Sequence, residues 1–413
     1  MKGIVIGVLT EHDSGRTLEE IKNLAETAGI VVYGDFTQNV KKINPSTCIG
    51  KGKVEEIKAF VAKKDIDVVL FDCDLTPSQQ QNLQTLLETQ VIDRTGIILE
   101  IFAKRAKSKE GKIQVELAQL TYKLSKLKGI GTELSRLGGG IGTRGPGESK
   151  LESDRRTIRD NITRHKQELK IIEKNRTLHR QQRDKKNIPQ IAIVGYTNAG
   201  KSTLINLLTS AQTFVENKLF ATLDPTTKKL KLSTGKQAVI TDTVGFIEKL
   251  PHNLIEAFKS TFEEIREADL LLHVIDISNP EFYNHTRVVK EVLASMNIID
   301  IPTIYVYNKI DIAEVPKETF LRFPKERPFV MMSAMKNIGT DELLPKIEEG
   351  LSGFWVTLKI KIGHVDPWLL SFLLSNGYII KQEEKRGYSL IEVELPKNIA
   401  VRLKKQLPSK QFV

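Results

Sequence analysis

The sequence has only two cysteines, Cys48 and Cys73, among 413 residues. Two isolated cysteines form neither a disulfide framework nor the paired spacing of a metal site. We therefore expect reduced thiols that are buried or idle in a cytoplasmic protein. The seven histidines are scattered and form no cluster with acids or cysteines, so we expect no structural zinc site.

Long apolar runs are lacking as well. The apolar runs, such as residues 270–272, are no longer than a strand, whereas a membrane-spanning helix needs about 18 apolar residues. This excludes a polytopic membrane protein and leaves peripheral membrane contact open. The apolar run from Gly3 to Leu9 is followed at once by Glu11, His12 and Asp13, with no small-residue cleavage site. We expect a first strand there and no signal peptide.

The composition is that of a folded chain with an excess of positive charge. Hydrophobic residues make up 40% and the mean hydropathy is −0.23, which excludes a mainly disordered protein. At roughly 150 residues per domain, the length suggests two or three domains. Lys plus Arg number 62 and Asp plus Glu 51, giving a net charge of +11 and a pI of about 9.3.

One segment carries the whole charge excess. Residues 101–190 hold 23 Lys plus Arg and 10 Asp plus Glu, a net charge of +13, and the rest of the chain is at −2. A basic stripe is typical of a surface that binds a polyanion, usually nucleic acid. The alternative is a solvated helical face with surplus lysines.

The hydrophobic pattern divides the chain into four parts. In residues 1–95 short apolar runs alternate with helical patterns, which predicts a small parallel α/β subdomain. In residues 96–188 two amphipathic stripes predict a long antiparallel helical hairpin, whose first helix is expected from about residue 96 to 128. Residues 189–352 return to strand, loop and helix, and residues 353–413 predict a small C-terminal α/β domain. The leucines and isoleucines of the two stripes, with one histidine, are Leu117, Leu120, Leu124, Leu127, Ile158, Ile162, His165, Leu169 and Ile172.

A glycine-rich stretch separates the two stripes. Residues 138–147 contain six glycines, which a regular element does not tolerate cheaply. We interpret it as a flexible tip that fits itself to an irregular surface, since arginines and lysines flank it. A plain linker is the alternative.

A phosphate-binding loop follows the strand Ile191–Val194. The sequence has the form G-x-x-x-x-G-K-S and precedes a predicted helix, which is the setting this motif requires. Its main-chain N–H groups and the helix N-terminus are expected to surround phosphate oxygens. Lys201 is expected to reach the β- and γ-phosphates and Ser202 to ligate Mg²⁺. The loop and first helical turn comprise Gly195, Tyr196, Thr197, Asn198, Ala199, Gly200, Lys201, Ser202 and Thr203.

A second phosphate motif ends the next strand, residues 238–241. Asp242, Thr243, Val244 and Gly245 form D-x-x-G. The aspartate is placed to hold Mg²⁺, and the Gly245 N–H can meet the γ-phosphate where a side chain would block approach.

Two further motifs select the base. Asn308, Lys309 and Asp311 form N-K-x-D after the strand 304–307. The Asp311 carboxylate can accept from guanine N1–H and the N2 amino group, whereas adenine would leave it unpaired. The motif S-A-M follows the strand 329–332, and its amides can hold the guanine O6. Its residues are Ser333, Ala334 and Met335. The motifs in this order predict a GTP-binding P-loop domain.

The segment between the two phosphate motifs is where a switch threonine belongs, because its hydroxyl reaches Mg²⁺ only when the γ-phosphate is present. Three threonines compete on sequence alone: Thr222, Thr226 and Thr227. The segment begins Phe220, Ala221, Thr222, Leu223, Asp224.

These motifs resemble the HflX-type ribosome-associated GTPase family. The similarity continues into segments 49–53, 75–79, 91–95 and the glycine-rich run into 148–152, and covers roughly residues 1–350. The part after residue 353 resembles a domain that only some members carry. The resemblance favours Thr222 as the switch threonine.

The resemblance implies a GTPase that binds the large ribosomal subunit and its RNA and dissociates stalled or idle ribosomes, especially under stress. It places the hairpin and its glycine-rich loop near the peptidyl-transferase region. We expect Lys201, Thr222 and Gly245 to be catalytic, and Ser202, Thr222 and Asp242 to hold Mg²⁺. We also expect a cytoplasmic monomer that hydrolyses GTP to GDP and phosphate.

Two positions bear on hydrolysis. The residue after Gly245, often a water-positioning glutamine, is Phe246, whose ring makes no hydrogen bond to water. We expect slow intrinsic hydrolysis, with the missing group supplied by the ribosome or another residue. Asn198 stands where some GTPases that lack the glutamine hold K⁺. The alternative is that Asn198 only braces the loop.

Two other functions stay open on sequence alone. The chain is alternatively a ribosome-assembly or RNA-remodelling GTPase, which would act on naked structured RNA. Or it is a regulatory adaptor whose C-terminal part recruits a protein while the GTPase acts as a timer.

Overall fold

The computed structural model describes residues 1–9, 17–137, 146–184, 188–209, 219–248, 254, 259–314, 328–363, 367–385 and 387–407. The chain forms two compact units. The N-terminal unit comprises Met1–Glu173, Glu216–Asp224 and Lys249–Ser260. The C-terminal unit comprises Lys174–Val215, Pro225–Glu248 and Thr261–Val413. Residues 138–145 of the predicted glycine-rich tip lie outside the described residues.

A four-stranded parallel sheet forms the core of the N-terminal unit, in the order β2-β1-β3-β4. This confirms the predicted parallel α/β subdomain. The local chemistry is visible at α3, where Thr76 and Gln79 form a reciprocal capping box and Pro77 occupies the first turn. The elements are β1 (Lys2–Leu9), α1 (Thr17–Thr27), β2 (Val31–Asn39), α2 (Lys51–Lys64), β3 (Val68–Phe71), α3 (Pro77–Leu87) and β4 (Gln90–Asp93).

Three helices follow the sheet: α4 (Arg94–Arg105), α5 (Lys109–Leu137) and α6 (Pro146–Asp184). The sequence pattern suggested one long helix from about residue 96 to 128. The structure instead breaks it after α4, where Ala106 has extended backbone angles. The helices α5 and α6 are antiparallel, because Glu116 meets His165 at 3.4 Å and the Leu127 oxygen accepts from Arg155 at 2.6 Å.

A buried polar network attaches these helices to the sheet. Arg94, only 2% exposed, pairs with Asp72 at 2.6 Å and with Glu20. Asp93 at the end of β4 accepts from Tyr122 at 2.8 Å and from Lys126 at 2.5 Å, both on α5. Because a buried charge is costly without a partner, these contacts hold α1, α4 and α5 in one register on the sheet.

The C-terminal unit contains a six-stranded sheet in the order β10-β9-β8-β5-β7-β6. All neighbours are parallel except β6 and β7. The central strands β5, β8 and β9 are buried along almost their whole length, as expected for a sheet covered on both faces, whereas the edge strand β6 is mostly polar and exposed. The elements are β5 (Gln190–Gly195), α7 (Lys201–Thr209), β6 (Thr226–Lys231), β7 (Gln237–Asp242), α8 (Lys259–Arg266), β8 (Leu270–Asp276), α9 (Phe282–Ser295), β9 (Thr303–Asn308), β10 (Phe329–Met331) and α10 (Thr340–Gly350).

A small antiparallel sheet ends the chain, in the order β11-β13-β12, with two helices on its apolar face. The strand β12 was not anticipated from the sequence pattern. The first residues of the predicted helix start, Asp366 included, lie outside the described residues. The elements are β11 (Trp355–Gly363), α11 (Pro367–Asn376), β12 (Tyr378–Lys385), β13 (Tyr388–Pro396) and α12 (Lys397–Gln406). Across the described part of the chain, no helix is long and apolar enough to span a membrane.

Candidate functional site

The phosphate loop lies between β5 and α7, as the sequence predicts. Two of its residues have left-handed backbone angles: Asn198 with φ 60° and Gly200 with φ 96°. A Cβ at Gly200 would lie 2.3 Å from the side-chain nitrogen of Asn308. Glycine at position 200 is therefore required both by the backbone conformation and by the close approach of the N-K-x-D motif.

Lys201 is buried beneath this loop. Its ammonium donates hydrogen bonds to the main-chain oxygens of Gly195 at 3.1 Å and Tyr196 at 2.8 Å. Burial lowers the pKa of Lys201 to about 8, and the negative charge of Asp242 opposes that shift. Since an anion beside the ammonium favours its charged form, phosphate binding would raise this pKa again.

Ser202 and Asp242 meet directly, with the serine hydroxyl donating to the carboxylate at 2.8 Å. Asp242 ends β7 and is 3% exposed. Hydroxyl and carboxylate oxygens are the hard donors that Mg²⁺ prefers. The donor set that the structure brings together thus fits a magnesium ion.

The D-x-x-G segment pairs with the phosphate loop through its main chain. Phe246 N donates to Gly195 O at 3.1 Å, and Thr197 N donates to Phe246 O at 2.8 Å. Gly245 lies so close that a Cβ there would come within 3.0 Å of the Lys201 ammonium. The neighbouring Thr243 hydroxyl donates to Ile193 O at 2.6 Å and ties the segment to β5.

Phe246 points into the core and not toward solvent. It is 1% exposed and stacks on Phe262 with ring centroids 5.8 Å apart. Its neighbour Val244 is also buried. A buried phenyl ring provides packing to the segment, and it has no donor or acceptor for water.

An aromatic pair that the sequence did not reveal supports the same segment. Tyr196 stacks on His285 of α9, with centroids 3.7 Å apart and planes 8° from parallel. The Tyr196 hydroxyl accepts from the main-chain N–H of Glu248 at 2.8 Å. The second residue of the phosphate loop therefore also holds the chain that follows Phe246.

The N-K-x-D and S-A-M motifs come together at the ends of β9 and β10. Asn308 accepts from Ala334 N at 2.9 Å, and Asp311 accepts from the Ser333 hydroxyl, which lowers the pKa of the Asp311 carboxyl. Asp311 is therefore ionised near neutral pH. Met335 is exposed.

Lys309 is fixed by a residue outside the predicted motifs. It adopts φ 65° and pairs with Asp276, at the end of β8, at 2.6 Å. Asp276 lies next to β9 in the sheet, which is why sequence spacing gave no signal for it.

The segment Phe220–Asp224 belongs to the N-terminal unit. Phe220 is 2% exposed and packs edge-on against Phe102 at 4.7 Å. Asp224 accepts from the main-chain N–H groups of Lys107 and Ser108. Ala221 is exposed, Thr222 half-buried and Leu223 buried. Thr226 and Thr227, the competing threonines, form the start of β6.

The strand, phosphate loop and helix, with the ordered D-x-x-G, N-K-x-D and S-A-M motifs on one sheet, define a P-loop GTPase. Family models agree along most of the chain. Residues 15–103 match the GTP-binding GTPase N-terminal family, residues 105–183 the GTP-binding GTPase middle region, and residues 190–309 the 50S ribosome-binding GTPase family.

Curated relatives identify the family. The chain is 48% identical over 404 residues to GTPase HflX of Caldanaerobacter subterraneus, covering 98% of this chain and 93% of that protein. It is 46% identical over 402 residues to the Lacrimispora saccharolytica protein of that name, covering 97% and 95%. With the Escherichia coli protein the identity is 40% over 402 residues, covering 97% and 94%. The chain belongs to the HflX GTPase family.

Proposed function

We propose that this GTPase binds the large ribosomal subunit and its RNA in the GTP state, dissociates stalled or idle ribosomes, and is released after hydrolysis. The observation that carries the proposal is the charge of one element: residues 101–190, largely an antiparallel pair of helices, hold a net charge of +13. RNA phosphates attract such a surface over long range. The match of the nucleotide domain to the 50S ribosome-binding GTPase family supports ribosomal RNA as the polyanion.

The motif sequences suggest the nucleotide roles, and the geometry of the phosphate loop and base motifs supports them. Amides of the phosphate loop and Lys201 bind the β- and γ-phosphates, and Asp311 and the S-A-M amides bind guanine. The Thr197 hydroxyl is buried and has no hydrogen-bond partner within the described ranges, which leaves a donor for the ligand. Ser202, Asp242 and Thr222 would hold Mg²⁺, which neutralises phosphate charge when bound. The whole set, 195–203, 220–224, 242–245, 308, 309, 311 and 333–335, forms the proposed site.

Hydrolysis by the isolated protein is slow in this proposal. Lys201 and the Gly245 N–H stabilise charge on the γ-phosphate while water attacks in line, but the buried Phe246 does not orient that water. The ribosome or another residue supplies the missing group. Asn198, exposed at the tip of the loop, would hold K⁺ beside the phosphates. Equal hydrolysis rates in Na⁺ and K⁺ would contradict the proposal that Asn198 holds K⁺.

We assign functions to the four predicted parts of the chain, which are residues 1–95, 96–188, 189–352 and 353–413. We propose that the second part contacts RNA and the third hydrolyses GTP, in a monomer that works in the cytoplasm.

The test is co-sedimentation with purified ribosomes and separated subunits, in GDP and in a non-hydrolysable GTP analogue, with light scattering to follow dissociation. The variant Arg156→Glu/Arg159→Glu reverses two exposed charges on α6. Its matched control, Lys41→Glu/Lys42→Glu, reverses two exposed charges in a loop of the same unit.

We expect binding to the large subunit only with the GTP analogue, together with loss of intact ribosomes. The α6 variant should bind at least about tenfold more weakly at moderate salt, and the control should bind like the wild type. Binding without dissociation would contradict the splitting function. Binding to naked structured RNA but not to subunits would favour the RNA-remodelling alternative.

A further inference from the structure

The carboxylate of Asp224 is held by the start of helix α5. It accepts hydrogen bonds from Lys107 N at 2.9 Å, from Ser108 N at 2.8 Å and from the Ser108 hydroxyl. The same hydroxyl accepts from Gly111 N at 2.8 Å, so Ser108 also caps the helix. One serine therefore joins the first turn of a 29-residue helix to a residue more than 100 positions later in the chain.

A second contact fixes the other end of the segment. Phe220 packs edge-on against Phe102 of α4, and both rings are almost completely buried. Phe220 has φ 53°, a left-handed conformation that a bulky residue adopts only when its surroundings impose it. Packing at Phe102 and hydrogen bonding at Ser108 thus define the path of the five residues from Phe220 to Asp224.

Gly111 is what allows this approach. A Cβ built on Gly111 would lie 2.3 Å from an Asp224 carboxylate oxygen, closer than any real contact. Alanine favours the helix more than glycine does. Glycine at position 111 therefore makes room for Asp224, although it stabilises the helix less than alanine would.

We infer that Ser108, Gly111 and Phe102 are positioning residues for the GTPase switch: they hold the segment that presents Thr222, and they link it to the helix that carries the basic hairpin. The inference rests on the proposed role of Thr222 as the threonine that responds to the γ-phosphate. A segment ordered in advance loses less conformational entropy when GTP binds. GDP has no γ-phosphate, so its affinity should not depend on whether this segment is ordered.

The link acts in both directions, since a coupling free energy between two sites is reciprocal. If docking of Asp224 favours GTP over GDP, then GTP favours docking of Asp224 on α5. We therefore expect the bound nucleotide to influence the basic hairpin through the start of α5.

Two pairs of variants test the inference in the full-length protein. Gly111→Ala displaces Asp224, while its control Gly52→Ala adds the same methyl group to helix α2, where nothing lies within 4 Å. Ser108→Ala removes the hydroxyl, and Ser108→Thr restores it with the capping function intact. Thermal melts establish that each variant is folded.

Three quantities are measured without ribosomes: affinity for a GTP analogue, affinity for GDP, and kcat. We expect Gly111→Ala and Ser108→Ala to weaken analogue binding roughly tenfold, within the usual range of such couplings, and to leave GDP binding unchanged. Their kcat should fall as well. Gly52→Ala and Ser108→Thr should match the wild type. Hydrogen exchange should show the amides of Lys107 and Ser108 protected more with the analogue than with GDP, and exposed in Gly111→Ala.

The inference would be overturned if Gly111→Ala exposed those two amides but kept the same ratio of analogue affinity to GDP affinity as the wild type. Equal weakening of GDP and analogue would indicate a structural role only and would also overturn it. Neither result touches the proposed function, which fails separately if the wild-type protein does not bind the large subunit in a GTP-dependent manner.

Discussion

The side-chain amide of Asn308 donates a hydrogen bond to the main-chain oxygen of Ala199 at 2.9 Å. Its carbonyl oxygen accepts from Ala334 N at the same distance. One buried side chain thus ties the phosphate loop to both motifs proposed to hold the base. A nucleotide would contact three loops that are already joined to one another.

Asn308→Ala should therefore weaken GTP and GDP binding together. Removing the amide leaves two buried main-chain groups unpaired, at a cost of about 1–3 kcal/mol each, so a loss of at least about tenfold is expected for both nucleotides. Isothermal titration measures it. Asn284→Ala, at a half-buried asparagine on α9, is the control and should bind normally. Unchanged affinity in Asn308→Ala would contradict the bridging role.

Asp311→Asn should change the preferred base. An amide offers a donor where the carboxylate offers an acceptor, which suits the oxygen of xanthine at the position of the guanine amino group. We expect GTP affinity to fall by about a hundredfold or more and XTP to bind in its place. Competition of both nucleotides against a fluorescent GDP measures this. A variant that loses GTP without gaining XTP would show that Asp311 does not read the base.

Stability should depend on pH through His273. Burial, with the charges of Lys290 and Lys201 as smaller contributions, lowers the pKa of His273 to about 3 from its ordinary value of 6.5. Below pH 6.5 the unfolded chain binds a proton that the folded chain does not, so folding weakens by about 1.4 kcal/mol per pH unit as the pH falls toward 3.

Urea unfolding of the wild type and His273→Gln between pH 4.5 and 8.5 tests this. The two proteins should show parallel pH dependence above pH 7.5, and the wild type should lose stability faster below pH 6.5. Parallel curves over the whole range would mean that folding does not lower the pKa of His273.

Arg94→Met should be strongly destabilising. Asp72 is almost completely buried beside Arg94 and would lose its cationic partner, at a cost of about 3–5 kcal/mol. Arg287→Met removes an exposed ion pair with Glu291 at 3.9 Å and should cost less than about 0.5 kcal/mol. Urea unfolding of both variants compares them. Similar losses for the two would mean that the Arg94 network contributes little.

Mild peroxide should join Cys48 to Cys73. Their sulfurs lie 3.6 Å apart, Cys48 is buried and Cys73 is partly exposed, and the hydrogen bond from Cys73 lowers the pKa of Cys48. Two thiols and one hydrogen peroxide then give one disulfide and two waters. Mass spectrometry should find the cross-linked peptides in the wild type and none in Cys73→Ser. Sulfinic acid without a disulfide would contradict the expected pairing.

Much of this protein is determined by its sequence alone. Phosphate and base motifs are local: glycine conformations, a helix start and a strand end lie within a few residues of one another, so their order already identified a GTP-binding domain. Residues 195–203 and 308–311 took the predicted strand, loop and helix positions. The parallel N-terminal sheet and the antiparallel helices followed from the hydrophobic period, which is also a local property.

Only the tertiary structure decided which residues that are far apart in the sequence come into contact. Packing, not spacing, placed His285 on Tyr196, Asp276 on Lys309, and Cys48 beside Cys73. The expected helix is broken before Ser108, at the place where the amides of Lys107 and Ser108 hold Asp224. That contact joins two segments that each look ordinary in sequence. It depends on a missing methyl group at Gly111, and such a requirement exists only where two distant parts of a folded chain touch.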